Sequence, residues 1–224
     1  MYYDITYLML LPALLFAFYA QFKVSYNFEK YSKIDSSSGI DGQTLARNLL
    51  DRNGLQEIKI KPAPGKLTDN YNPIDKSINL SDEIYYGRSI AAAGIVAHEV
   101  SHAVQEKESY LPLKIKASIV PISNFGSTLA IPLFFLGMIF NFPQLMDLGI
   151  IFFSLAVAFT VLTLPVEFNA SKRALFMLSE SKYLTQEEIQ MSKKVLDAAA
   201  LTYVAATTMA LLQLLRLIFL RQRR

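Results

Sequence analysis

Cysteine is absent from this chain of 224 residues, tryptophan is absent too, and histidine occurs only twice. Without cysteine there is no disulfide framework, no thiol nucleophile, no Cys-ligated zinc and no iron–sulfur cluster. Charge is sparse: 18% of residues are Asp, Glu, Lys or Arg, against roughly 25% in an average soluble domain. The net charge of +3 is too small to argue for nucleic acid as a partner. The basic residues also lack any RNP, zinc-finger or basic-zipper pattern. What remains is apolar. Hydrophobic residues make up 52% of the chain and its mean hydropathy is +0.28, which points to the lipid bilayer.

Apolar stretches free of charge for about 20 residues are long enough to cross a bilayer as helices. Transmembrane helices are expected over residues 5–22, 117–140, 148–166 and 198–220. The first lacks a basic leader and a small-x-small cleavage site, so it reads as a retained anchor and not a signal peptide. The second carries Pro121, Gly126 and Pro132. Within the last, Gln213 and Arg216 would equally suit a helix lying at the interface.

Residues 23–116 form the first long polar segment. In it DGQTLARNLLDRNG reads as an amphipathic helix, with Ile40, Leu45, Leu49 and Leu50 at helical spacing and Asn53-Gly54 as its stop. EIKIK and KSINLS alternate, with PAPG, Asn72-Pro73 and Asp75 between them, which predicts a short antiparallel ribbon. A helix is expected over 88–107. A second helical segment covers 167–197, where Glu187 and Glu188 of TQEEIQ read as a helix N-terminal capping box. The 117–140 and 148–166 spans are joined by the short NFPQLMD turn, so the two polar segments share one face of the membrane.

Both histidines lie in one motif, His98-Glu99-Val100-Ser101-His102. Positions four apart on a helix stack one turn above the other, so both imidazoles can reach one metal ion. Glu99 lies on a neighbouring line, free to take a proton from a water activated there. Two randomly placed histidines would stand four apart in roughly 1% of chains this long, and the adjacent Glu lowers that about twentyfold. A catalytic zinc needs a third protein ligand, which here must be a carboxylate. Glu167 stands out, directly after a charge-free span. Its plainer reading is an interfacial carboxylate paired with Lys172 or Arg173. Glu106 and Glu108 follow the histidines too closely to close a three-ligand cap.

At these residues the chain resembles the YugP-like family of neutral zinc metallopeptidases of bacterial membranes. The resemblance runs through AQFKV, ARNLLDRNGL, LTDNYNP, YYGRSIAA, AHEVSHAVQ, NFGS, LPVEFNASKRAL and KKVLDAAALTYVAA, in order, over essentially the whole chain. It implies a multipass membrane metalloprotease of the gluzincin type binding one Zn2+ per chain. His98, His102 and Glu167 would be the ligands and Glu99 the general base. Two departures stand out. Ser101 replaces a usual Gly, and Ser171 stands where related gluzincins carry an Asp that supports a histidine ligand, so Ser171 would support it without a charge. The fold implied is a mainly α integral membrane protein of about four transmembrane helices with an inserted zincin-like α+β domain.

The activity implied is hydrolysis of peptide bonds in membrane or membrane-proximal proteins, with the substrate strand adding to the edge of the EIKIK/KSINLS ribbon. Tyr71, Arg173 and Tyr183 are candidates for stabilising the oxyanion. Two alternatives stand beside it. A site-2-type intramembrane protease would want the motif inside a full apolar span, and a non-catalytic zinc scaffold or chaperone would have no use for Glu99. Lysines and arginines from Lys23 to Lys194 cluster on the motif-bearing face, which places it in the cytoplasm of a bacterial plasma membrane. Arg216, Arg221, Arg223 and Arg224 stand against that assignment.

Overall fold

A computed structural model of the chain describes residues 5–223, with the side chains at 5, 122 and 125 excepted. A 3-10 helix (Ile5–Leu10) leads into α1 (Leu11–Ser32), followed by α2 (Gly42–Arg52), β1 (Lys59–Ala63), β2 (Asn70–Asn72), β3 (Ser77–Ser81), α3 (Asp82–Tyr85), α4 (Ile90–Lys107), α5 (Leu111–Ile139), α6 (Pro143–Ser181) and α7 (Gln186–Gln222). They divide into two compact units. One holds the chain up to Gln21, Leu111–Pro165 and the chain from Leu201, and the other holds Phe22–Tyr110 and Val166–Ala200.

The second unit is built on α2, α4 and the sheet. Asp41 caps α2 by accepting from the Thr44 amide at 2.8 Å, and Gly54 at φ +65° lets the chain turn away beyond its end. The apolar face of α2 (Leu45, Ala46, Leu49, Leu50) packs into one core with Ile78 and Leu80 of β3, Val96 and Val100 of α4, and Leu178 of α6. Ser89 caps α4, accepting from Ala92 at 3.1 Å. The alanine-rich first half of α4 is buried on nearly all sides, which is why that half is apolar without being a span.

The ribbon differs from expectation. β1 and β3 pair in parallel, with Lys59 opposite Ser77 and Ala63 opposite Ser81. The antiparallel partner of β3 is β2, and the strand order is β1-β3-β2. The reason is local: Asn72, Pro73 and Asp75 turn a hairpin between β2 and β3, leaving β1 only the far edge of β3. KSINLS is therefore the central strand and offers no open edge.

The other unit is helical. Phe134, Met146 and Leu217 form its innermost contacts, with Ile131, Ile150 and Phe153 around them. Among the described residues three helices are long and apolar enough to cross a membrane: Thr6–Ser32, Pro143–Ser181 and Gln186–Gln222. A fourth is obtained if the halves Leu111–Pro121 and Gly126–Ile139, bent by 51°, form one span. The break follows Pro121, whose ring cannot donate to the helix ladder. Arg216 is 3% exposed; its Nε donates to Thr6 Oγ1 at 3.0 Å and its guanidinium lies 3.7 Å from the centre of the Tyr7 ring. Arg221 grips Asp147 at 2.7 and 3.1 Å, tying the end of α7 to the start of α6. The helices also run further than the apolar stretches alone suggest: α1 continues to Ser32, α6 passes unbroken through Glu167, and α7 begins at Gln186.

Candidate metal centre

The ligand-bearing helices lie side by side in the second unit. On α4, His98, His102 and Gln105 follow a four-then-three spacing that puts all three on one face. On α6, Glu167 and Ser171 stand one turn apart. His98 Nε2 and His102 Nε2 lie 3.2 Å apart, and Glu167 Oε2 is 3.3 Å from the first and 3.5 Å from the second. Among the described residues this is the one His/Asp/Glu group so converged.

Three atoms bound at zinc–ligand distances to one tetrahedral ion stand about 3.3–3.4 Å from one another. The observed triangle matches that spacing. The donor set, two imidazoles and one carboxylate, is also what an open zinc site uses. The residues present therefore fit zinc.

Each imidazole is held from behind. Ser171 Oγ lies 3.3 Å from His98 Nδ1, and Gln105 Oε1 lies 3.0 Å from His102 Nδ1. Gln105 is fully buried; its Nε2 donates to the Val166 carbonyl and to Asn169 Oδ1, both at 2.9 Å. Asn169 Oδ1 also accepts from Arg173 Nε at 2.7 Å, and Arg173 pairs with Glu108 at 2.6 Å. Burial disfavours a charged His102, yet the carboxylate of Glu167 and the nearby charge of Glu99 outweigh it and raise its pKa. Ser101, the departure from a usual glycine, is buried and turns its hydroxyl back onto the Ala97 carbonyl at 2.7 Å, so the extra atoms stay within the helix.

Glu99 is 8% exposed, and its Oε2 accepts from the backbone amide of Tyr71 at 2.9 Å. In β2 the flanking residues Asn70 and Asn72 pair with Asn79 and Ser77 of β3, while the Tyr71 amide faces α4 instead. The Tyr71 phenol donates to Glu106 at 2.5 Å, and Lys76 pairs with the same carboxylate at 2.9 Å. Burial, then the bond to Glu106, push that phenol well above the ordinary tyrosine value. Tyr183 packs against the core with the Arg52 guanidinium 5.2 Å from its ring centre. The phenol of Tyr71, the guanidinium of Arg173 and the ring of Tyr183 are thus all engaged with groups other than the three converging atoms. Glu188 is occupied as expected: it closes a capping box with Thr185 and accepts from the Ser37 amide and hydroxyl.

Gln105 and Asn169 are the site residues that the sequence did not single out. A polar side chain near the end of a helix reads as solvated, and only their position three residues after His102 and two after Glu167 hinted otherwise.

No solved structure matches the chain. A relative from Bacillus subtilis (strain 168), described as "Putative membrane protease YugP", is 48% identical over 210 residues, covering 94% of this chain and 93% of that protein. The sequence profile of the family described as "Putative neutral zinc metallopeptidase" matches residues 6–222. With that extent of match, and with His98, His102 and Glu167 brought to one point, the chain belongs to this zinc metallopeptidase family.

Proposed function

We propose that the chain is a zinc-dependent membrane endopeptidase that hydrolyses peptide bonds of membrane or membrane-proximal proteins. The observation carrying this reading is the triangle of His98 Nε2, His102 Nε2 and Glu167 Oε2 with Glu99 beside it and outside it. A structural zinc is normally closed by four protein ligands, whereas three leave a position for water or substrate.

His98, His102 and Glu167 would hold the ion. When bound, zinc supplies a positive charge that polarises the scissile carbonyl and lowers the pKa of water. Glu99 removes the proton from the attacking water and delivers it to the leaving amine. Its bond to the Tyr71 amide aims the carboxylate while leaving the other oxygen free for that transfer. We assign the substrate strand to the open edge of β2, the edge strand whose amide meets Glu99. Of the three oxyanion candidates, Tyr71 is the one on that strand; Arg173 and Tyr183 have no comparable link to Glu99.

The relative's name and the three apolar helices support a membrane-associated chain. We infer four spans, with the bent α5 as the second, and a zincin-like catalytic region on the cytoplasmic face between the first two. α4 is not among the helices apolar enough to cross a membrane, which favours a site outside the hydrocarbon over the site-2-type alternative. The deciding experiment is Glu99→Gln in the purified chain. Bound zinc should stay at about one per chain while peptide hydrolysis falls by two or more orders of magnitude, on the order expected for loss of a general base. Wild-type hydrolysis in that variant would remove Glu99 from the mechanism. If wild type and variant alike bind zinc and neither cleaves peptides, the scaffold reading is the better one.

A further inference from the structure

We propose that Gln105 is a positioning residue that fixes the tautomer of His102, and that it is itself aligned by Asn169, Arg173 and Glu108. The proposal rests on the metal reading above. An amide side chain has one acceptor and two donors, and its orientation follows from its neighbours. The Val166 carbonyl can only accept, so the Gln105 atom 2.9 Å away must be the nitrogen. The oxygen of Gln105 therefore faces His102 Nδ1 at 3.0 Å. An oxygen there requires Nδ1 to carry the hydrogen, which leaves the lone pair of Nε2 directed at His98 and Glu167.

Asn169 is pinned by the same logic. Arg173 Nε is only a donor, so the Asn169 atom 2.7 Å from it is the oxygen, and this oxygen also receives the second hydrogen of Gln105. Arg173 is in turn held by Glu108. The bonds from Gln105 to Val166 and Asn169, and from Arg173 to Glu108, cross between α4 with its C-cap Glu108 and α6, so the groups that choose the nitrogen also keep the two ligand-bearing helices in register. His98 has no such instruction: the Ser171 hydroxyl beside its Nδ1 can donate or accept. The orientation of the site thus rests on the His102 side.

The test uses the full chain in detergent, with zinc affinity measured by competition against a chromophoric chelator. Imidazole 15N spectra of the metal-free protein, at a pH where the rings are neutral, report the tautomers, and two histidines leave only two rings to assign. Gln105→Met nearly conserves volume and removes the amide. It should weaken zinc binding about ten- to a hundredfold, and the His102 ring should change from the Nδ1–H form to a mixture containing Nε2–H. Arg173→Met, further out on the chain of bonds, should shift both readouts the same way by less. His102→Ala checks the underlying reading: zinc held as tightly as in wild type would remove the metal site and this proposal with it. If His102→Ala loses zinc while Gln105→Met keeps both the wild-type affinity and a pure Nδ1–H ring, the proposal is overturned and the metal site stands. Should Gln105→Met not fold, Arg173→Met decides, and unchanged affinity and tautomer there overturn the proposal.

Discussion

A carboxylate only 4% exposed at the end of an apolar helical stretch needs compensation. At Glu167 two imidazoles supply compensation, while Arg173 is engaged with Asn169 and Glu108. Glu167→Gln is therefore expected to lower zinc content sharply in metal analysis of the purified chain, whereas Glu187→Gln leaves it at the wild-type level. Ser171→Ala, removing one hydroxyl beside His98, should cost less zinc affinity than the loss of any ligand. The histidine pair was legible because helical spacing alone brings i and i+4 together. Glu167 was legible only as a carboxylate in an expensive place, and Gln105 hardly at all, because its partners come from another helix.

Among the elements, α2 and β2 stand at opposite ends of legibility. The cap, stop and apolar spacing of α2 are all local, and the helix forms where they put it. Asp41→Ala removes the hydrogen bond to Thr44 and should lower stability by about 1 kcal/mol, read as a shift in thermal unfolding of the detergent-solubilised chain. Asn70–Asn72 carries no apolar alternation and becomes a strand only because β3 and Glu99 take up its backbone groups. That strand, invisible in the pattern, is what made the expected antiparallel ribbon parallel. In the helical unit, Gly149 lets α6 approach α5 closely: a Cβ there would lie 2.7 Å from the Ala130 carbonyl oxygen and 2.8 Å from the Phe134 nitrogen. Gly149→Ala should push these helices apart and cost about 1–3 kcal/mol by the same unfolding measurement.

For the whole molecule, the question is which segments share a membrane face. Arg221 holds the end of α7 against Asp147, so the end of α7 and the start of α6 lie together. With four spans, residues 141 and 224 face one side and the loop around Pro64 faces the other. The chain contains no cysteine, so single cysteines can be introduced without background. Cysteines at Asn141 and Arg224 should label from outside intact cells with an impermeant maleimide, and one at Pro64 only after lysis. Labelling of Arg224 and Pro64 from the same side would require an even number of crossings between them and return the bent α5, or α7, to the membrane surface.

The sequence by itself determined what depends on neighbours a few residues away: the apolar stretches, the capped helix at 42–52, the capping box at Thr185, and two imidazoles with a carboxylate between them on one helix. It also limited the third ligand to a carboxylate, since both histidines were used and cysteine is absent. Tertiary structure decided what depends on groups far apart in the chain. It set the parallel pairing of β1 with β3, the strand at Asn70–Asn72, the meeting of Glu167 with His98 and His102, and the Gln105 bonds that orient His102. The physical reason is that a backbone amide or a buried amide side chain must find a partner somewhere. Which partner it finds is fixed only when α4, α6 and the sheet have packed around one core.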